Sequence, residues 1–227
     1  MSCPAFLRGE DVLVDVSHFR YIEDKAHRTT APTECEINDM LAAYPTTESL
    51  LKDVILRLQS ENHRISGDML IFLMRIHETK TKIHKYKTIR KIMLSPEVGR
   101  ELRRLNEIEP SVEGQTITVG PKLPVMNLIG YYEIRPLFDI VYANTSHKEP
   151  WVRSSAYVSI GDISKIEKRK ALQYLRRGLN DNGTFMVGPS FPSSVRESAA
   201  YTCMDLGFRF RLLLWIHAPE YRYKLFE

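Results

Sequence analysis

The densest chemistry in the chain is a run of nine basic side chains, Lys80, Lys82, Lys85, Lys87, Arg90, Lys91, Arg100, Arg103 and Arg104, opposed only by Glu97 and Glu101. Residues 80–104 therefore carry a local net charge of +7, against +4 for the whole chain. A field that concentrated favours phosphate or anionic-lipid surfaces. A second group, Lys165, Lys168, Arg169, Lys170, Arg176 and Arg177, follows with Glu167 as the acid among them. Taken together the two groups form a candidate polyanion-binding surface. Taken singly, each is an ordinary solvated helix face whose long stems cover apolar neighbours. Residues 1–61 reverse the balance, with eleven acidic and six basic side chains.

Catalytic and metal-binding patterns remain incomplete. His77-Glu78 opens a zincin arrangement, which needs a second His three residues after the Glu so that both imidazoles share a helix face; position 81 is Thr. His84 aligns with His77 only if one helix holds both, and neither a metal site nor a cofactor is expected. Gly178 to Thr184 lacks the Lys and hydroxyl that a phosphate-cradling loop carries after its last Gly, so it reads as a turn. No G-x-S-x-G elbow presents a serine. Cys203 falls inside an expected helix, where nothing lowers its thiol pKa, and Asp139, Asp162, Asp181 and Asp205 are spread over separate elements. Tyr86, Tyr131, Tyr132, Trp151 and Tyr174 lie near basic groups and could stack on unpaired bases. Their spacing is equally that of core packing, and no RNP-type strand signature joins them.

These side chains belong to 227 residues of 43% hydrophobic composition, enough for one large domain or two small ones. The longest apolar runs, Met69 to Ile76 and Leu212 to Ile216, fall far short of the roughly 20 residues that cross a bilayer. Met1 to Asp15 does not match a secretory signal, having acidic residues by position 10. Cys3, Cys35 and Cys203 are too scattered for a disulfide framework. An intracellular protein, cytoplasmic or nuclear, is expected.

Periodicity predicts a short helix from Thr33 to about Ala43, and a second from Thr47 with Leu50, Leu51, Val54, Ile55 and Leu58 on one face. Ile83, Tyr86, Ile89 and Met93 mark an amphipathic basic helix, and Ser95-Pro96 starts another with Val98, Leu102 and Leu105 inward. Strands are expected at Val12 to Val16, Met69 to Ile76, Thr116 to Val119, Ile134 to Tyr142, Trp151 to Ile160, Phe185 to Val187 and Phe208 to Ile216. Capping boxes at Ser164/Glu167 and Ser194/Glu197 open two further helices. The expected fold class is α+β: a mostly helical, acidic part over 1–110 with its basic segment at 80–104, then an α+β part over 111–227 with a mainly antiparallel sheet and interspersed helices. The two parts can equally form one continuous domain.

A non-enzymatic assembly or adaptor protein is the function expected. It would self-associate through Leu213 and Trp215 at an exposed sheet edge, and would bind RNA, nucleoprotein or an anionic membrane surface through its basic helices. In size, charge and want of a catalytic pattern the chain is of the type of viral matrix proteins, an analogy of type alone. A nucleic-acid-processing enzyme with a site assembled from distant residues, and a sequence-independent RNA-binding protein, are the alternatives. Convergent carboxylates or histidines would favour the enzyme.

Overall fold

Eleven α-helices and two small hairpins account for the regular structure of the computed structural model, which describes residues 33–109, 111–113, 116–118, 120–187, 191–218 and 220. In chain order the helices are α1 (Glu34–Ala42), α2 (Thr47–Leu58), α3 (His63–Glu78), α4 (Tyr86–Met93), α5 (Pro96–Asn106), α6 (Lys122–Tyr131), α7 (Phe138–Asn144), α8 (Pro150–Ile163), α9 (Lys168–Gly178), α10 (Val195–Asp205) and α11 (Phe208–His217). The strands are β1 (Ser111–Glu113) paired antiparallel with β2 (Thr116–Thr118), and β3 (Thr184–Val187) paired antiparallel with β4 (Phe191–Ser194). The expected strand at 12–16 lies outside the described residues.

The expected α+β class is thus corrected: the described fold is helical, with no sheet beyond the two hairpins. Four segments read as strands are helices: Met69 to Ile76 lies within α3, Ile134 to Tyr142 within a 3-10 turn and α7, Trp151 to Ile160 within α8, and Phe208 to Ile216 within α11. Met69, Leu70, Phe72, Leu73 and Ile76 are buried at helical spacing, so the apolar run of α3 is one face of a helix. Prolines in the segments expected to be strands sit in first turns. Pro150 is at the start of α8 and Pro136 at the start of the 3-10 turn Arg135–Leu137, where a missing N–H costs nothing and a fixed φ suits the helix.

Expected helix starts hold where side-chain caps form. Ser95 Oγ accepts from the Val98 N–H at 3.4 Å with Pro96 behind it, and Ser194 Oγ accepts from the Glu197 N–H at 3.1 Å. Ser164 does not cap α9; it ends α8, donating its hydroxyl to the Gly161 carbonyl at 2.6 Å.

Helix α8 is the centre of the second half, packing against α6, α7, α9 and α10, while α3 packs on both α2 and α6. Small residues set the approach. A Cβ on Gly130 would meet the Ser159 carbonyl oxygen at 3.2 Å, so α6 and α8 cross where one of them has no side chain. One continuous hydrophobic cluster takes in residues from both sides of position 110, from Ile37 and Leu50 through Leu105 to Ile129, Ile160 and Leu175. Polar ties fix its edges. Arg57 and Asp53, both buried, pair at 2.9 Å, with the Tyr44 hydroxyl donating to the same carboxylate. Arg153 grips Asp181 with two nitrogens, at 2.7 and 3.0 Å, and pins the loop before β3 onto α8.

Candidate polyanion interface

Much of the first basic group is committed within the fold. Lys85 Nζ donates to the carbonyls of Leu41 and Tyr44 at 2.8 and 2.9 Å, closing the C-terminal end of α1. Arg104 donates to the Leu58 carbonyl at 2.6 Å and pairs with Glu101, and Lys82 pairs with Glu34 at 2.8 Å. Arg103 pairs with Asp139, and Arg90 with Glu133 at 3.2 Å. Lys87, Lys91 and Arg100 are exposed and have no ion pair or hydrogen bond among the described residues.

The second group divides likewise. Lys165 lies 3.6 Å from Asp162 and Lys170 3.6 Å from Glu167. Lys170 Nζ also stands 4.1 Å over the Tyr142 ring, which packs at 4.5 Å on Tyr174, and Arg177 lies over Tyr174 at 5.0 Å. Lys168 Nζ is 5.8 Å from the Phe210 ring centroid. Arg169 and Arg176 are exposed and unpaired among the described residues. Tyr174 therefore belongs to an internal aromatic pair, Trp151 packs against the core, and Tyr132 is fully buried with its hydroxyl donating to the Leu73 carbonyl at 2.8 Å.

The two groups meet at His77, at the end of α3. Its ring stacks on Tyr131 of α6 at 4.6 Å and 13°, and stands edge-on to Tyr86 of α4 at 5.9 Å and to Tyr132 at 5.3 Å. Lys80 Nζ is 3.4 Å from Nε2 and the Tyr86 hydroxyl 2.9 Å from Nδ1. An ammonium group can only donate, so Nε2 accepts, and the neutral ring carries its proton on Nδ1 and donates it to Tyr86. The Tyr86 hydroxyl proton is then directed away from the ring, toward no acceptor among the described residues. Burial pushes the His77 pKa down to about 4, and the positive charges of Lys80, Lys165 and Arg90 push it the same way. Cations from the turn after α3, from α4 and from the turn after α8 thus act on one imidazole.

Two carboxylates share this region. Burial holds the Asp162 carboxyl above its ordinary value against the pull of Lys165 and Lys80, while the Glu133 charge adds to the rise. Burial raises the Tyr131 pKa, and the charges of Glu78 and Asp162 add to the rise. Glu133 follows α6 with φ at 56°, a left-handed backbone in which the Glu133 N–H bonds the Gly130 carbonyl and the Ile134 N–H the Ile129 carbonyl. Glycine is the usual occupant of such a helix end. On sequence alone His77 is a metal candidate, Asp162 is one of four scattered acids, and Glu133 does not stand out; no local signal marks a left-handed Glu.

Elsewhere the expectations separate. Leu213 packs against the core, whereas Trp215 is 49% exposed beside Leu212 and Ile216, so the two residues expected to share an exposed face do not. The sheet edge on which that expectation rested is the helix α11. Burial pushes the Cys203 thiol up to about 12, and among the described residues no three His, Cys, Asp or Glu side chains gather as metal ligands. No helix among them is long and apolar enough to cross a membrane. Comparison with known families finds no family model that matches the chain, and comparison with curated proteins finds no significant relative.

Proposed function

We propose that the protein is a non-enzymatic assembly or adaptor protein that binds a polyanionic surface through its basic helices and associates with itself. One observation carries this: Lys80 lies 3.4 Å from His77, and Arg90 and Lys165, the last from the second basic group, act on the same imidazole, with unpaired Lys87 and Lys91 on the same helix as Arg90. Cations supplied by three separate elements concentrate a positive field on one surface. An intracellular setting goes with this reading, since nucleic acid and anionic membrane leaflets are both met there. Self-association is assigned to α11, through Leu212, Trp215 and Ile216 rather than Leu213. The test is binding to RNA and to anionic vesicles over a salt series. Log affinity should fall linearly with log salt for at least one of them, and replacing Lys80, Arg90 and Lys165 together by Gln should flatten the slope. A slope the triple variant leaves unchanged overturns the assignment.

His77 and Asp162, both shifted by burial and both acted on by Lys80 and Lys165, favour a second reading, a nucleic-acid-processing enzyme, because perturbed titratable groups cluster at catalytic sites. Against it, both ring nitrogens of His77 are engaged, one by Lys80 and one by Tyr86. Cleavage of bound RNA by wild type and its loss in His77→Gln would establish the enzyme.

A further inference from the structure

We propose that the surface around His77 is a site for an unpaired nucleotide within a single-stranded nucleic acid, its base packed on the Tyr131–His77 stack and its flanking phosphates held by Lys80, Arg90 and Lys165. This rests on the polyanion reading above and names the polyanion.

Three observations select an unpaired strand over the other polyanions. First, His77, Tyr86 and Tyr131 are all partly exposed, and two of them already lie ring on ring. An aromatic face serves a base that has left its stack; duplex phosphates and lipid headgroups make no use of it. Secondly, Lys80 lies 3.4 Å from the His77 ring, and Arg90 and Lys165, from two further elements, act on the same imidazole, which puts positive charge for the strand's phosphates beside the stack. Thirdly, Asp162 and Glu133 stand among those cations. Carboxylates repel a dense phosphate surface, whereas they accept hydrogen bonds from the amino and imino N–H groups on a base edge. The Tyr86 hydroxyl, its oxygen already accepting from His77, supplies a donor for a base carbonyl or a phosphate oxygen. Glu133 keeps its carboxylate there from a left-handed backbone that disfavours a side chain.

The experiment is fluorescence anisotropy with a labelled 12-nucleotide single-stranded RNA, the same RNA annealed to its complement, and phosphatidylserine vesicles, all at one salt concentration. Wild type should bind the single strand most tightly. Tyr131→Leu, which keeps apolar volume and removes the ring, should weaken single-strand binding by between about five- and about a hundred-fold, the span of base–aromatic stacking. It should leave duplex binding unchanged, and Tyr131→Phe should retain wild-type affinity. Should Tyr131→Leu fail to fold, Asp162→Asn serves in its place and should weaken the single strand several-fold with no loss for the duplex. Equal weakening of both RNAs, or of neither, overturns the site. Tighter binding to duplex or vesicles overturns the site and leaves the polyanion reading standing, while binding to none of the three overturns both.

Discussion

Arg103 of α5 and Asp139 of α7 meet in a two-pronged ion pair, Nη1 to Oδ2 at 3.0 Å and Nη2 to Oδ1 at 3.4 Å, with Nη2 also donating to the Pro136 carbonyl. The pair is about half exposed, so its contribution to stability is at most about 1 kcal/mol. With both terminal nitrogens engaged and Nη2 also on a backbone carbonyl, Arg103 has less to offer a ligand than Arg90, which meets Glu133 through Nη2 alone. Arg103→Gln should lower the melting temperature slightly and leave the salt slope of RNA binding unmoved. Lys87→Gln with Lys91→Gln should do the reverse, reducing the slope by about 0.7 for each phosphate that is no longer neutralised. A matched pair of melting curves and salt series distinguishes the two sets.

The left-handed Glu133 makes an opposite-signed prediction. A side chain there costs about 1–2 kcal/mol, and its half-exposed pair with Arg90 returns less than about 1 kcal/mol. Glu133→Gly should therefore raise the urea midpoint, while Glu133→Ala, which keeps the Cβ and loses the carboxylate, should lower it. A Gly variant less stable than wild type would show that the carboxylate contributes more than the backbone costs.

The sequence rules that succeeded here were those with a local physical cause. Ser95 with Pro96 and Ser194 with Glu197 announce helix starts because their hydroxyls satisfy amides within three residues. The failures came where β-forming residues are dense or alternate by chance. In α8 the β-formers Trp151, Val152, Tyr157 and Val158 outweigh Ser154, Ala156 and Ser159, yet those small residues let α6 and α10 come close, and tertiary contact overrides propensity. In α11 an accidental alternation of apolar and basic residues imitates a strand, and length alone could not exclude it. Of the site, the basic residues were visible as composition, while the meeting of Lys80, Arg90 and Lys165 depends on how α3, α4 and α8 pack. No spacing along the chain encodes that.

His77 makes stability depend on pH in a defined window. Its folded pKa of about 4 lies below the ordinary 6.5, so the unfolded chain takes up the proton first as pH falls. Stability from this group is complete above about pH 6.5 and is lost progressively down to about pH 4. Asp162, raised in the fold by burial, acts in the opposite sense above its ordinary 3.8 and offsets part of that loss. Urea midpoints of wild type should decline across that interval, and His77→Phe should decline less. Parallel curves would assign the dependence to other groups.

Gly178, the last residue of α9, tests how tightly the helices around α8 are packed. Alanine is the better helix former by about 1 kcal/mol, yet a Cβ at Gly178 would lie 2.8 Å from both Ala199 Cβ and Tyr157 Cε1. Both neighbours are buried and neither has room to withdraw. Overpacking of this kind costs about 1–3 kcal/mol, so Gly178→Ala should destabilise on balance. An increase in melting temperature would mean that α9 moves outward at little cost.

Self-association can be separated from core packing on α11 itself. Leu213 packs against the core, whereas Leu212, Trp215 and Ile216 are 42%, 49% and 59% exposed, three apolar side chains spaced to share one face of the helix. Grouped exposed apolar residues of this size commonly mark an interface. Trp215→Ser combined with Ile216→Ser should then leave the melting curve of dilute protein nearly unchanged and reduce the larger species seen by light scattering. Leu213→Ser should instead destabilise the fold by about 1–3 kcal/mol, because it replaces apolar packing with a hydroxyl. If the double variant unfolds as Leu213→Ser does, that face belongs to the core and α11 is not the surface that joins copies. If it stays folded and the scattering is unaltered, the proposed association through α11 is overturned.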